Sequence, residues 1–257
     1  MRKFVSLLLT VVLILSCVPV TVCAQEERTI PILLYHNISD YIPGQKYDAS
    51  LNISAAEFER HMVTLLETGY TPITYSDYYA YMTEGAPLPD KPILITFDDG
   101  YLSNYLYAFP VLKKLNIKAT IFVITDRRGK SLGTNPHFSW NQAREMVDSG
   151  IIDIQSHTHS HQVSTSLSDE ELAYEMRISK RLIEMHTGKK CNVLAFPNGV
   201  GNEREKAAAL SAGYKIVNMV GGGTNRYGDR MDSVRRITVF GNWSGFELLN
   251  QIKYHVR

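Results

Sequence analysis

The stretch Ile93-Leu94-Ile95-Thr96-Phe97-Asp98-Asp99-Gly100 joins a continuous apolar run to two adjacent carboxylates. An apolar run without polar alternation is typical of a strand that is buried on both faces, as in a parallel sheet. The two carboxylates come directly after this strand, where they repel each other. A turn built on the Asp-Gly pair would explain them. Alternatively, one carboxylate could bind a metal ion while its neighbour acts as a base.

Runs of the same kind recur along the chain and alternate with amphipathic stretches. They predict further strands at Ile30–Tyr35, Pro72–Thr74, Ala119–Ile124, Ile151–Gln155, Asn192–Phe196, Tyr214–Met219 and Val234–Val239. Several intervening stretches start with a capping box, which is a helix signal: Ser54 with Glu57, Ser139 with Gln142, Ser168 with Glu171, and Ser244 with Glu247. Alternating strands and helices predict a parallel sheet, and about eight such units predict a closed or nearly closed α/β barrel.

The composition is that of an ordinary globular protein. The chain has 257 residues, of which 44% are hydrophobic and 21% are charged, and this balance excludes a disordered or fibrous protein. The net charge of +1 offers no basic field for a polyanion, so nucleic acid is not an expected partner. Because no Pro/Gly/Ser-rich linker divides the sequence, we expect a single domain.

The amino terminus has the features of a secretory signal peptide. Arg2 and Lys3 precede the apolar run Phe4–Leu15, and Val22-Cys23-Ala24 offers a small-residue cleavage site. We therefore expect residues 1–24 to be removed and residues 25–257 to form an exported domain.

Two other relations to the membrane were considered. The apolar run at the amino terminus is too short to span a bilayer comfortably, and no later stretch reaches about 18 apolar residues, so a transmembrane segment is not expected. In a less favoured interpretation, Ile14-Leu15-Ser16-Cys17 is a lipobox and Cys17 carries a lipid anchor, although Leu15 fits that pattern poorly.

A histidine cluster, His157-Thr158-His159-Ser160-His161, follows the predicted strand Ile151–Gln155. Three imidazoles within five residues are hard to explain by packing. His157 and His161 can converge on one ion if the segment turns, and neutral imidazole suits Zn²⁺, Ni²⁺ or Co²⁺. His159 would then point elsewhere, either behind the site or toward a substrate.

Two further groups follow predicted strands: His36, and the segment Ala195-Phe196-Pro197-Asn198-Gly199. Taken singly, the histidine could be a packed residue and the segment a simple turn. However, both groups, like the carboxylates and the histidine cluster, stand at the carboxyl ends of their strands. In a parallel barrel these ends share one face, and barrel enzymes carry their active sites there. The sequence therefore predicts an active site on that face.

The pair of motifs Thr96-Phe97-Asp98-Asp99-Gly100 and His157-Thr158-x-x-His161 resembles the polysaccharide deacetylases of carbohydrate esterase family 4. The resemblance covers about Ile30 to Val239. It implies the NodB-homology fold, a distorted (β/α) barrel of about seven or eight parallel strands. It also implies metal-dependent removal of acetyl groups from N-acetylated sugars.

Site residues follow from the same resemblance. Asp98 would be the general base, and one divalent cation, Zn²⁺ in preference to Ni²⁺ or Co²⁺, would bind Asp99, His157 and His161. Phe196, Pro197 and Asn198 stand where the family has a substrate-groove motif. We expect Tyr101 to contribute to substrate binding, with its backbone N–H facing the oxyanion.

The chain departs from the family pattern at three places. Ala195 stands where many members have an arginine that braces the base, and Asn198 where an aromatic residue is common. The C-terminal Leu-x-His of many members is missing, since His255 is expected in a terminal tail. Leu34-x-His36 supplies this element at the amino terminus, which resembles the circularly permuted branch that includes poly-N-acetylglucosamine deacetylases. His36 is therefore the expected general acid.

The expected function is a metal-dependent hydrolase that deacetylates an extracellular or cell-wall polysaccharide of the N-acetylglucosamine type. One alternative is an O-acetyl polysaccharide esterase, because the same site can cleave esters. Another is a non-catalytic carbohydrate-binding protein on this fold, which Ala195 and Asn198 would favour. A metal-dependent phosphohydrolase is less favoured because it would call for more carboxylates or cationic groups that clamp phosphate.

Overall fold

The computed structural model describes residues 28–40, 48–130 and 135–256. The expected signal peptide and the alternative anchor at Cys17 lie outside the described residues. Within the described ranges, no helix combines the length and the apolar character needed to cross a bilayer.

Of the strands in the described residues, eight lie at or next to the predicted apolar runs, most of them shorter at one or both ends, and two short strands, Asn37–Ile38 and Asn52–Ile53, were not predicted. They are β1 (Ile32–Tyr35), β2 (Asn37–Ile38), β3 (Asn52–Ile53), β4 (Thr71–Pro72), β5 (Pro92–Phe97), β6 (Ala119–Val123), β7 (Ile152–Ser156), β8 (Val193–Ala195), β9 (Ile216–Asn218) and β10 (Ile237–Thr238). The helices are α1 (Ala55–Glu67), α2 (Tyr75–Glu84), α3 (Phe109–Lys114), α4 (Trp140–Asp148), α5 (Asp169–Thr187), α6 (Glu203–Ser211) and α7 (Gly245–Val256).

The main sheet runs in the order β10-β1-β5-β6-β7-β8-β9, with β4 paired to β5, and every pair in it is parallel. Its two ends are linked through one segment. Val234 forms a parallel bridge with Asn218 of β9, and β10, three residues later, pairs with β1. The sheet therefore curls into the distorted α/β barrel that the sequence predicts, and this prediction is confirmed.

Both faces of the sheet are buried, which explains why its strands read as continuous apolar runs. Alternate residues point in opposite directions. Leu33 and Ile95 belong to the cluster packed beneath the outer helices, whereas Ile32 and Leu94 belong to a separate cluster with Phe122. This second cluster fills the barrel interior. It includes the tyrosines of α2, namely Tyr75, Tyr78 and Tyr81, so α2 packs against the interior cluster.

The predicted capping serines lie at the starts of helices. Ser139 and Ser168 form complete capping boxes at α4 and α5. Ser54 caps α1 through its own side chain, because Glu57 is bonded to Arg60 instead. Ser244 accepts a hydrogen bond from the Glu247 backbone N–H at the start of α7.

The expectation of a C-terminal tail is wrong. His255 lies in α7, which packs against α1 and buries Leu248 and Ile252. The apolar spacing of this helix gives it one buried face, and that is sufficient to fix it to the domain.

Candidate active site

The parallel strands bring the predicted polar groups to one face of the barrel. His36 follows β1 and Asp98 follows β5, and these strands are neighbours, with Tyr35 paired to Phe97. The Asp98 backbone N–H bonds the Tyr35 carbonyl over 3.0 Å, which extends this pairing past the ends of the strands. His157 follows β7, and its backbone N–H bonds the Val123 carbonyl at the end of β6 over 3.0 Å. The groups thus share one face.

A triad that could hold a metal ion forms there from Asp99, His157 and His161, whose ligand atoms all lie within 4.8 Å of one another. His157 Nε2 is 3.6 Å and His161 Nε2 is 3.5 Å from Asp99 Oδ1. Metal–ligand bonds of about 2.0–2.2 Å at tetrahedral angles place ligand atoms about 3.3–3.6 Å apart. The spacing and the two-imidazole, one-carboxylate donor set therefore fit a divalent ion such as Zn²⁺.

The two histidines are oriented as metal ligands would be. His157 Nδ1 donates a hydrogen bond to the Ala195 carbonyl oxygen at 2.8 Å, so Nε2 is the nitrogen that faces the site. Burial, and then the neighbouring His157 imidazole, lower the pKa of His161 to about 4. His161 is therefore neutral at pH 7.

The ligands are presented by turns in the left-handed region of backbone conformation. Asp99 has φ 67°, Thr158 has φ 65° and His161 has φ 64°, which is uncommon outside glycine. Glu175 supports the histidine turn, because its carboxylate accepts hydrogen bonds from the backbone N–H groups of His159 and Ser160 at 2.9 and 2.8 Å. Such strain is typical of functional sites.

Asp98 has a cationic partner that the sequence analysis did not single out. Arg236 donates two hydrogen bonds to its carboxylate, Nη1 to Oδ1 at 2.7 Å and Nη2 to Oδ2 at 2.8 Å. Both residues are buried, with 0% of Arg236 and 3% of Asp98 exposed. The arginine that appeared to be missing at Ala195 is thus supplied from the segment just before β10. A sequence signal existed, since an arginine inside the predicted strand Val234–Val239 needs a buried partner.

The carboxylates of the site stay ionised although they are buried. Burial would raise the pKa of Asp98, but Arg236 above all lowers it to about 2. Burial would likewise raise the pKa of Asp99, but the nearby imidazoles, His157 first, hold it below its ordinary value. A hydrogen bond from the Tyr101 side chain adds to this effect on Asp99.

His36 lies beside these carboxylates. Its backbone carbonyl accepts a hydrogen bond from Asn104 Nδ2 at 2.8 Å, and among the described residues its buried Nδ1 atom has no partner. Burial lowers the pKa of His36, against the opposing charges of Asp98 and Asp99. The imidazole is therefore neutral at pH 7 in the free protein.

The remaining predicted residues differ in exposure. Phe196 and Pro197 are buried, and Phe196 packs so closely under Gly201 that an added Cβ would lie 2.7 Å from its ring. Phe196 therefore supports the loop from within and offers no face to a substrate, because its side chain is enclosed. Asn198 is exposed, with φ 56°. His159 points away from the ligands, as expected, and lies 2.9 Å from the Thr125 hydroxyl.

The sequence and fold have clear relatives. Residues 85–217 match the family model described as polysaccharide deacetylase. The Bacillus subtilis protein YxkH, named as a polysaccharide deacetylase, is 36% identical over 221 residues, which cover 86% of this chain and 75% of that protein. A Staphylococcus aureus poly-beta-1,6-N-acetyl-D-glucosamine N-deacetylase is 24% identical over 83% of this chain and 84% of its own length.

A solved structure supports the same grouping. The Streptococcus pyogenes deacetylase PplD, determined in complex with acetate, superimposes with a TM-score of 0.80 at 27% identity, over 87% of this chain and 98% of that one. The predicted family and its NodB-like fold are thus confirmed. Taken together with the converging carboxylates and histidines, these matches show that the chain belongs to the polysaccharide deacetylase family.

Proposed function

We propose that the protein is a divalent-metal-dependent deacetylase that acts outside the cytoplasm on an N-acetylglucosamine-type polysaccharide. The observation that carries this proposal is the placement of a buried, ionised carboxylate next to an Asp/His/His triad: Asp98 Oδ2 lies 3.7 Å from His157 Nε2. The name of the Staphylococcus aureus relative supports the class of substrate.

Asp99, His157 and His161 would hold the ion. When bound, a divalent cation, Zn²⁺ in preference to Ni²⁺ or Co²⁺, lowers the pKa of water to about 7 and polarises a carbonyl group. Three protein ligands leave coordination positions open, as a catalytic site requires. The hydrogen bond from His157 to the Ala195 carbonyl fixes the orientation of that ring.

Asp98 is the proposed general base. Its pKa of about 2 makes it ionised at every pH of interest, so it is always available to accept a proton. The same low value makes it a weak base, and it can therefore deprotonate only a strongly acidified water. The Arg236 guanidinium also bonds both carboxylate oxygens, which fixes the orientation of the Asp98 side chain.

His36 is the proposed general acid, which would protonate the sugar nitrogen as the acetyl group leaves. Because burial lowers its pKa, His36 is neutral before the reaction, and the proton that it passes to the sugar nitrogen would be the one that Asp98 takes from water. Loss of acetate release in His36→Ala would support this role. The Tyr101 backbone N–H would face the developing oxyanion. Asn198, the exposed member of the groove motif, would contact the sugar.

Export remains part of the proposal. Residues 1–24 would be a signal peptide that directs the enzyme to the polysaccharide, with residues 25–257 as the mature domain. Acylation at Cys17 would instead tether it to the cell surface. Mass spectrometry of the mature protein distinguishes the two, since only the first gives a chain that begins at Gln25.

The Arg236–Asp98 pair removes one of the two arguments for a non-catalytic protein. Ala195 suggested that the base had lost its brace, but the brace comes from another strand. Asn198 alone does not favour a non-catalytic protein, because it is neither a proposed ligand of the ion nor a proposed proton-transfer residue.

The test is acetate release from defined oligomers. We expect the parent to deacetylate N-acetylglucosamine oligomers, to lose activity on chelation and to regain it with Zn²⁺ or Co²⁺. His157→Ala should lose both the metal and the activity, whereas Lys130→Met, an exposed change, should keep both. Faster release from O-acetylated xylan oligomers would make the protein an esterase, and absence of release from either oligomer would contradict the catalytic proposal.

A further inference from the structure

We propose that Arg128 is a positioning residue for the cation site: it holds the turn that presents Asp99, and its segment ties this turn to the one that carries the histidines. The inference rests on the proposed function in that the triad binds a divalent ion. Arg128 itself is not a ligand and would not touch the substrate.

The side chain of Arg128 is bound by backbone carbonyls of the carboxylate turn. Its Nη1 donates to the Gly100 carbonyl and its Nη2 to the Asp99 carbonyl, both at 2.8 Å, and its Nε donates to the Ile124 carbonyl at 3.1 Å. The guanidinium lies over the Phe138 ring, 4.5 Å from its centre, and the residue is 8% exposed. A planar fork of this kind fixes two neighbouring carbonyls at once.

A purely stabilising role would not explain this arrangement. Among the described residues no carboxylate forms an ion pair with Arg128, and the groups in direct contact with its charge are backbone carbonyls and the Phe138 ring. Enclosing a charged side chain without an ionic partner is unfavourable. An apolar side chain of similar volume is often as stable at such a site or more so. We therefore look for the role of Arg128 in the backbone carbonyls that it binds, those of Asp99 and Gly100.

Those carbonyls belong to a turn that needs support. Asp99 and Gly100 are consecutive left-handed residues, with φ 67° and 70°, and this conformation is unfavourable for a non-glycine residue such as Asp99. A Cβ on Gly100 would lie 2.5 Å from Arg128 Nη1, so the guanidinium can occupy this position only because residue 100 has no side chain. Without these hydrogen bonds, Asp99 is free to leave the position it holds toward His157 and His161.

The same segment also supports the histidine turn. The Thr125 backbone N–H bonds the Thr158 carbonyl at 3.3 Å, and the Asp126 backbone N–H bonds the His159 carbonyl at 2.9 Å. Residues 124–128 thus bond both ligand-bearing turns while supplying no ligand. This connection would keep the triad assembled before a cation arrives.

The test compares Arg128→Met and Arg128→Lys with Lys130→Met, which removes an exposed positive charge two residues away. The readouts are the Zn²⁺ dissociation constant by competition with a chelator, the absorption spectrum of bound Co²⁺, and the melting temperature of the metal-free protein. Supporting groups behind metal ligands typically change metal affinity by 10–100-fold.

We expect Arg128→Met to weaken Zn²⁺ binding by about 10–100-fold and to alter the Co²⁺ spectrum, with a metal-free melting temperature close to that of the parent. Arg128→Lys retains the charge but not the planar fork, so its Zn²⁺ affinity should lie between those of the parent and Arg128→Met. If Arg128→Met fails to fold, the Zn²⁺ affinity and Co²⁺ spectrum of Arg128→Lys test the proposal in its place. Lys130→Met should match the parent.

The inference is overturned if Arg128→Met, or Arg128→Lys in its place, binds both metals as the parent does. It is also overturned if melting falls while affinity and spectrum stay unchanged, since that is a structural role. Failure of the proposed function looks different: the parent itself would then bind no divalent ion or release no acetate.

Discussion

Each end of the barrel holds an aspartate at the sheet, Asp98 fully buried and Asp153 partly buried, and the pKa values of the two carboxyls shift in opposite directions. At the carboxyl end, burial of Asp98 is outweighed by Arg236, and the pKa falls to about 2. At the amino end, Asp153 of β7 borders a cavity of about 600 Å³ and is bonded by Gln155, a neutral amide, at 2.9 Å. Burial there raises the pKa of Asp153 to about 6.

Burial raises the pKa of both carboxyls, and the hydrogen-bond partner decides whether the carboxylate stays charged. A guanidinium at 2.7 and 2.8 Å keeps one carboxylate charged, whereas an amide does not prevent the other from becoming neutral in mild acid. Burial of a carboxylate therefore does not by itself mark a catalytic base. The paired guanidinium of Arg236 distinguishes Asp98 from Asp153, because it keeps the Asp98 carboxylate ionised and fixes its orientation.

The largest expected effect on activity is that of Asp98→Asn, which is compared with the same substitution, Asp153→Asn, at the other end of the barrel. Asp98→Asn removes the proposed base while the triad keeps its ligands, so we expect acetate release to fall by about 10²–10⁴-fold with divalent metal still bound. Asp153→Asn should leave activity within about twofold of the parent. Steady-state rates and metal content of the two variants provide the measurement. Parent-like turnover by Asp98→Asn would show that the base is another group.

A second variant tests whether Arg236 is what separates the two ends. Arg236→Met leaves Asp98 buried without its cation, which typically destabilises a protein by about 3–5 kcal/mol. The pKa of Asp98 should also rise toward that of Asp153, so that activity acquires a limb that increases with pH through the acid range. Denaturant unfolding and the pH profile of kcat/KM measure the two effects.

The control is the double variant Arg236→Met, Asp98→Asn. Because it removes both charges, it should recover much of the lost stability but none of the activity. If it is as unstable as Arg236→Met alone, packing of the arginine over Phe122, 5.2 Å from the ring centre, matters more than the ion pair.

The contrast between the ends was only partly visible in the sequence. The apolar run before Asp98 and the i, i+4 spacing of His157 and His161 are local patterns, and they predicted both the strand and the convergence at the carboxyl ends. Arg236 was missed because its partner is 138 residues away and the contact depends on how β10, β1 and β5 are ordered in the sheet. Only its position inside an apolar run could have pointed to it.

Other features were hidden for the same reason. The motif that contains Phe196 does not show that its ring is buried beneath Gly201. His255 was assigned to a tail because the capping box at Ser244 and Glu247 predicts where a helix begins and not where it ends. Arg128 lies far along the chain from the Asp99 turn, and its hydrogen bonds to backbone carbonyls leave no trace in residue type. Local sequence patterns thus predicted the strands, the helices and the candidate metal ligands. The contacts that support those ligands join distant parts of the chain and could be seen only in the folded structure.

A third prediction concerns stability at the amino end. The pKa of Asp153 is higher in the folded than in the unfolded protein, so the folded protein stays protonated up to a higher pH. The free energy of unfolding therefore falls as pH rises from about 4 to about 6. Asn imitates the neutral acid, so Asp153→Asn should exceed the parent in stability by about 1–3 kcal/mol at pH 7 and match it near pH 4. Urea unfolding at several pH values tests this. An equal difference at both pH values would mean that charge is not the cause.

The smallest effect should come from Tyr75, which lies between the two ends. It borders the amino-end cavity, its hydroxyl donates to Asn218 Oδ1 at 2.6 Å, and its ring meets Phe122, on which Arg236 lies. Tyr75→Phe leaves the Asn218 oxygen unpaired and should cost about 1 kcal/mol of unfolding free energy.

The neighbouring Tyr78 is the matched control, since its buried hydroxyl finds no hydrogen-bond partner in the part of the chain that the structure describes. Tyr78→Phe should therefore be neutral or slightly stabilising, and urea unfolding of the two variants makes the comparison. Both should retain acetate release within about twofold, because the Arg236–Asp98 geometry is set by two direct hydrogen bonds and not by the ring beneath. A tenfold loss in Tyr75→Phe would mean that the aromatic stack transmits changes from the amino end to the base, and the two ends could no longer be treated as independent.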